Sequence, residues 1–219
     1  MKFIVDSQIY ELLSEAYPSS WNIDDFAKLK TFAARKIYCD EQLQKLGSGS
    51  SRIVYKIDES KALKLAKNAK GISQNEVEVD SFDSYFSEIL AEVFEYEPNY
   101  LWVEMELATP CTKSIFKSIN GYSFENYTLL LKHFHVTNVA RGKRYFTPNI
   151  DEIPEAEKEK IYESDFYNNI CDFVASYSVP VGDFLRPSSY GVVTGNGHKR
   201  VVLVDYGLNE DVFSRHYSR

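Results

Sequence analysis

Cysteine is scarce in this chain. Cys39, Cys111 and Cys171 are odd in number, far apart and without a Cys-x-x-Cys spacing, a pattern that excludes a disulfide framework or a thiolate zinc site and reads as reduced thiols. Long apolar runs are lacking too, since none approaches the roughly 20 residues of a membrane-spanning helix. The start, MKFIVDSQIY, reaches Asp6 too early for a signal peptide. A cytoplasmic protein without membrane contact is expected. Positive charge is in deficit: a formal net charge of -7 repels a phosphate backbone and argues against nucleic acid as partner. The basic clusters Arg141-Gly142-Lys143-Arg144 and His198-Lys199-Arg200 read as solvated loops. His133 and His135 have no carboxylate or thiolate at ligand spacing, and there is no repeat or low-complexity tract. What is abundant is aromatic, Tyr 16 and Phe 14, in a chain 44% hydrophobic and 26% charged. That composition belongs to a globular protein with core enough for one large domain or two small lobes.

Periodicity predicts an α+β chain. Ile9, Leu12, Leu13 and Ala16 share a helical face before Pro18, and Asp24 is placed to cap a second helix burying Phe26, Leu29, Phe32, Ala33 and Ile37. Strands are expected between Leu43 and Ala66, then a helix over Ser73–Glu88 with Phe82, Tyr85, Phe86, Ile89 and Leu90 inward. Glu78 falls on that same apolar face, where a carboxylate needs a cation, and the nearest strand lysine in an apolar setting is Lys64. Extended runs follow at Ala91–Tyr96 and Tyr100–Leu107, with a linker near Ala108–Thr112. Helices are expected over Ser123–Phe134, capped by Ser123, and over Ser164–Tyr177, separated by a polar loop from Val136 to about Glu157. A loop at Pro180–Pro187 leads to a hairpin, Tyr190–Thr194 and Arg200–Val204, turning at Gly195-Asn196-Gly197.

Two stretches carry chemistry. In the first, Gly47 and Gly49 form a small polar turn before the alternating run Ile53–Ile57, and Lys64 follows on the next strand. Strands on both sides distinguish this turn from a Rossmann turn, which opens a helix, and the P-loop pattern Gly-x4-Gly-Lys-Ser/Thr is absent. In the second, the hairpin delivers Asp205-Tyr206-Gly207 shortly after Gly182-Asp183-Phe184-Leu185-Arg186-Pro187-Ser188-Ser189.

In this order the motifs resemble those of the protein kinase-like superfamily, over roughly Leu46 to Gly207. Gly47-Ser48-Gly49-Ser50-Ser51-Arg52-Ile53-Val54 is similar to the family's glycine-rich loop, with Arg52 in place of the third glycine. Lys61-Ala62-Leu63-Lys64 is similar to its Val-Ala-Ile-Lys strand, so the resemblance implies that Lys64 meets the α- and β-phosphates of ATP and that Glu78 holds the lysine. Met105 to Ala108, including Leu107, would be the hinge that meets the adenine edge. Asp205 would hold Mg²⁺ as the Asp-Phe-Gly aspartate does. Matching Leu185-Arg186-Pro187 to Leu-Lys-Pro puts Ser189 in the asparagine position as a second Mg²⁺ ligand, Arg186 near the γ-phosphate and Asp183 one residue earlier than the catalytic aspartate. The implied fold is bilobal: an N-terminal helical extension (1–44), an N-lobe of antiparallel sheet and one helix (45–110), and a reduced, mostly helical C-lobe (111–219). With so little chain after Gly207, the resemblance implies no extended-peptide groove. It is similar to the abbreviated kinase-like proteins of bacterial viruses and mobile elements.

Two functions follow from the resemblance. One is an ATP-dependent phosphotransferase acting on a protein or small-molecule hydroxyl, with Asp183 orienting or deprotonating the acceptor. The other is a pseudokinase-like nucleotide-binding module that acts on a protein partner, suggested by Arg52, Ser189 and the displaced Asp183.

Overall fold

Alternating apolar residues build an antiparallel sheet first. In the computed structural model, which describes residues 21–82, 85–140, 146–195 and 197–217, the strands β1 (Gln44–Ser48), β2 (Arg52–Lys56), β3 (Lys61–Ala66), β4 (Val93–Tyr96) and β5 (Trp102–Glu106) form one sheet in the order β1-β2-β3-β5-β4. Every neighbouring pair is antiparallel. The described residues up to Asn75, with Val93–Leu107, make one compact unit; Glu76–Glu92 and the described residues from Ala108 onward make another.

In the first unit the sheet has two different faces because successive side chains point to opposite sides. Ile53, Tyr55, Leu63, Leu65 and Trp102 share one face and pack with Phe26, Cys39 and Leu43 from the preceding segment. Two helices cover that face: α1 (Ile23–Ala27) and α2 (Phe32–Gln42). The single helix begun at Asp24 does not form. Asn22 caps α1 through the Asp24 and Asp25 amides, and Thr31 caps α2 through the Ala34 amide, so two strong N-caps divide the segment. Phase shifts with the break: Arg35 and Cys39 turn inward, while Phe32 and Ile37 are exposed. Ring contacts from Phe26 to Trp102 (5.6 Å) and Trp21 to Phe26 (5.1 Å), and a 2.7 Å bond from the Tyr55 hydroxyl to Asp40, fasten the helices to the sheet. The helix expected over Ile9–Ala16 lies outside the described residues.

The helix expected at Ser73–Glu88 is displaced toward the N-terminus, as α3 (Ala69–Ser81). It starts early because the Asn68 side chain accepts the Gly71 amide at 3.2 Å, a capping bond. Its first half is fixed to the sheet by Ser51 to Gln74 (2.6 Å) and by Arg52 and the Tyr100 carbonyl to Asn75 (3.3 and 2.8 Å). Gly71 permits this approach, since a Cβ there would collide with the Ser51 carbonyl. Phe86, Ile89 and Leu90 are buried as expected, but from turns after the helix rather than from its face.

In the second unit, the short β6 (Thr109–Pro110) joins the hairpin β7 (Tyr190–Gly195) and β8 (His198–Leu203) in a three-stranded sheet. The helices are α4 (Lys113–Asn120), α5 (Phe124–Phe134), α6 (Glu155–Tyr162), α7 (Asp165–Ser176) and α8 (Glu210–His216). Ser123 caps α5, as the sequence predicts, and Ser164 caps α7. Helix α4 is additional, started by Thr112 and stopped by Gly121 at φ +80°. The stretch expected as loop opens with a π-helical turn, His135–Val139, and ends in α6. Phe116, Phe124 and Tyr127 form the aromatic centre of this unit with Tyr190, at ring distances of 5.0 to 6.1 Å. Among the described residues no helix is long and apolar enough to cross a membrane. The molecule is α+β: a five-stranded antiparallel sheet with one helix after β3, then a mostly helical unit with a small sheet.

Candidate functional site

Strand register assembles the first set of candidates. Gly47 pairs with Val54, Val54 with Lys64, and Lys64 with Val103. Directly paired residues share a face, so one cross-strand row places Gly47, Val54 and Lys64 side by side, on the face away from α1 and α2. The next row, Ala62 with Met105, lies on the same face. Lys64 is only 8% exposed, and a lysine so buried is held by compensating groups.

The turn between β1 and β2 is closed by the Gly49 amide donating to the Arg52 carbonyl at 3.0 Å. Neither Gly47 nor Gly49 has a positive φ, and a Cβ built on either meets open space. Torsion and packing therefore demand no glycine there. What the two glycines provide is bare backbone open to close approach, as a phosphate-covering turn requires.

Three residues that the motif reading passed over tie this turn to the start of α3. The Lys67 ammonium donates to the Gly49 carbonyl (2.6 Å) and the Ser48 hydroxyl (3.0 Å). Asn68 donates to the Ser50 carbonyl (3.1 Å), and Lys70 reaches the Ser50 hydroxyl (3.3 Å). Their signal was positional: polar residues placed directly after a strand that pairs with the turn's own strand. At the other end of the sheet, Met105 is bracketed by Ala62 and Val93 in the ladders, and the Leu107 amide donates to the Ser60 carbonyl at 2.7 Å. Met105 is buried on the face that carries Lys64.

The second set lies in the second unit, around one end of the β7–β8 hairpin. A 3₁₀ turn, Asp183–Leu185, is followed by another, Pro187–Ser189, which runs into β7. The Val204 amide donates to the Ser189 carbonyl at 2.9 Å, so Asp205 emerges beside this loop. Asp205 is exposed, while the next residue, Tyr206, is fully buried and donates its hydroxyl proton to the Ala91 carbonyl at 2.9 Å. Asp183 and Arg186 side chains are 42% and 71% exposed and 3.8 Å apart, a loose pair of little energetic weight that leaves both available. Ser189 is buried, and its hydroxyl donates to the Asp183 carbonyl at 2.7 Å. The structure thus brings Asp183, Arg186, Ser189 and Asp205 together within this unit. Glu78, on α3, is fully buried.

Among the described residues no three His, Cys, Asp or Glu side chains gather as a metal cage. An exposed Asp205 fits Mg²⁺, which keeps waters and takes phosphate oxygens rather than an all-protein shell. Ser189 fits that ion less well, its hydroxyl being buried and engaged as a donor.

No known family description matches the sequence, and no curated protein does. Solved structures do match the chain, among them two of the APH(2'') series. One is APH(2'')-IIia in complex with GDP and kanamycin, at 10% identity over 81% of this chain and 73% of that one, with a TM-score of 0.38. The other is the ADP-bound aminoglycoside phosphotransferase APH(2'')-Ib, at 12% identity over 95% and 74%, also with a TM-score of 0.38. Likeness at that score carries no weight for ligand or chemistry, so a functional reading stands on the residues above.

Proposed function

We propose that this chain is a kinase-like, ATP-dependent phosphotransferase acting on a hydroxyl of a protein or small molecule. The observation that carries the reading is the row of Gly47, Val54 and buried Lys64, beside two glycines whose backbone stands open. The turn from Gly47 to Gly49 covers the phosphates, and Lys64 neutralises the α- and β-phosphates, with Glu78 in the role of the helix carboxylate. Val54 and Met105 give apolar surface to the base, and the Leu107 carbonyl accepts from it. Asp205 would hold Mg²⁺, which when bound neutralises charge on the phosphates. Asp183 takes the proton of the acceptor hydroxyl as that oxygen bonds to the γ-phosphorus and the bond to the ADP oxygen breaks. Arg186 offsets charge on the transferring group. Positioning and charge neutralisation do most of the work in such a transfer.

A second reading, a nucleotide-binding module acting through a protein partner, is favoured by the commitment of Ser189 to the Asp183 carbonyl. Single substitutions decide between the two. Lys64→Ala and Asp205→Ala are expected to abolish phosphate transfer from ATP while far-ultraviolet circular dichroism stays that of the wild type. Transfer that survives both substitutions overturns the enzyme reading. Stabilisation of the wild type by ATP and Mg²⁺, without release or transfer of phosphate, would support the binding module.

A further inference from the structure

We infer that Ser189 and Tyr190 are positioning residues which latch the Asp183–Leu185 turn and thereby fix where the Asp183 carboxylate stands, with Tyr127 behind them. Two consecutive carbonyls of the turn are taken by two consecutive side chains. The Ser189 hydroxyl donates to the Asp183 carbonyl at 2.7 Å, and the Tyr190 hydroxyl donates to the Phe184 carbonyl at 2.8 Å. Tyr190 has one proton to give, so in its 3.0 Å contact with Tyr127 it accepts. The direction is therefore set: Tyr127 donates to Tyr190, which donates to the Phe184 carbonyl.

What stands behind the latch is buried. Tyr127 and Tyr190 are buried within the aromatic centre of this unit, with Phe116 and Phe124 against them. Burial raises both phenols well above their ordinary range, so both remain protonated donors at neutral pH. Phe184, 1% exposed, stacks on Phe173 at 6.3 Å and donates its amide to the Val181 carbonyl at 2.9 Å. The exposed Asp183 side chain thus projects from a backbone fixed on both sides of its own carbonyl. Ser189 also accepts the Val204 amide, so one residue ties the Asp183 turn to the strand that delivers Asp205. Buried hydrogen-bonded networks of this kind specify a unique geometry when every member is satisfied.

The kinetic consequence rests on the phosphotransferase reading, whereas the latch itself does not. The test uses the full chain as wild type, Tyr190→Phe, Ser189→Ala and Ser189→Thr. Hydrogen exchange of the segment 181–189 is expected to quicken about tenfold in Tyr190→Phe and in Ser189→Ala, the worth of one net hydrogen bond. Exchange in β2 and β3 should not move, and Ser189→Thr should restore the wild-type rate. With ATP and Mg²⁺, kcat for phosphate release is expected to fall about tenfold at a KM for ATP within about twofold of wild type, because only the geometry of Asp183 is disturbed. Unchanged exchange at 181–189 in both variants overturns the latch, as does quickening spread equally over β2 and β3. Faster exchange with unchanged kcat overturns the positioning role. A wild type that turns over no ATP removes the phosphotransferase reading and leaves the latch to be decided by exchange alone. Ser189→Ala, which deletes a single hydroxyl, keeps the test valid should Tyr190→Phe not fold.

Discussion

Lys64 sits where few lysines do, on a central strand between Val54 and Val103 and almost closed to water. A cation in that setting is costly unless it is compensated, so the proposed reading leans on its place on the sheet more than on the glycines. The thiols show the opposite case, residues that burial makes inert. Cys39, Cys111 and Cys171 are all buried, and burial pushes the Cys39 and Cys171 thiols up to about 12 and raises Cys111. Thiolate is the reactive form, so iodoacetamide at neutral pH should leave all three unmodified in the folded protein and label them in denaturant. Labelling of Cys39 at the rate of a free thiol under native conditions would show that the α1–α2 cover is not closed.

Among the elements, α1 and α2 cover the sheet face opposite Lys64. Phe26 is fully buried against Trp102, and Phe26→Ala should lower unfolding stability by about 3–5 kcal/mol. A urea melt that finds less than about 1 kcal/mol would place the helices as an ornament rather than a support. Helix α5 depends on α6 in a pH-dependent way. Glu157 accepts the Ser123 amide at 2.6 Å and the Asn126 side chain at 2.8 Å, and these bonds, the Ser123 amide first, lower its pKa below the ordinary 4.5. A carboxyl whose folded pKa is depressed adds stability that is present above its unfolded value and lost as pH falls through the folded value. Wild type should therefore outlast Glu157→Gln at pH 7, and the two melting curves should converge in acid below about pH 4.

What was legible divides along the same line. Alternation over Ile53–Ile57 and Ala62–Ala66 gave β2 and β3, and the turn residues gave both hairpins, because these signals are local. Ser123 and Ser164 gave helix starts for the same reason. The Ser73–Glu88 helix was misplaced because Asn68 caps from outside the apolar pattern, and the Asp24 helix because Asn22 and Thr31 cap at unexpected points. At the candidate site, residue types and order could be read from the chain, and strand register then set Gly47, Val54 and Lys64 in a row. The bond from Tyr127 to Tyr190 joins residues 63 apart in sequence, and nothing local announces it.

At the scale of the whole molecule, the glycine turn and Lys64 belong to one compact unit and Asp183, Arg186 and Asp205 to the other, and the proposed phosphate chemistry is tested by ligand and label. Saturating ATP with Mg²⁺, at one hundred times its Kd, should stabilise the protein by about 2.7 kcal/mol, raising Tm by roughly 5–10 °C for a chain of this size. Lys64→Ala should show no such rise. The most direct measurement follows γ-labelled ATP, with Mg²⁺, incubated with wild type, Lys64→Ala and Asp205→Ala. Wild type is predicted to move the label to water or to an added hydroxyl compound at least about a hundredfold faster than either variant, the usual cost of deleting one charge-stabilising group. Equal rates in all three proteins, or no movement of label by wild type above buffer, would contradict the assignment.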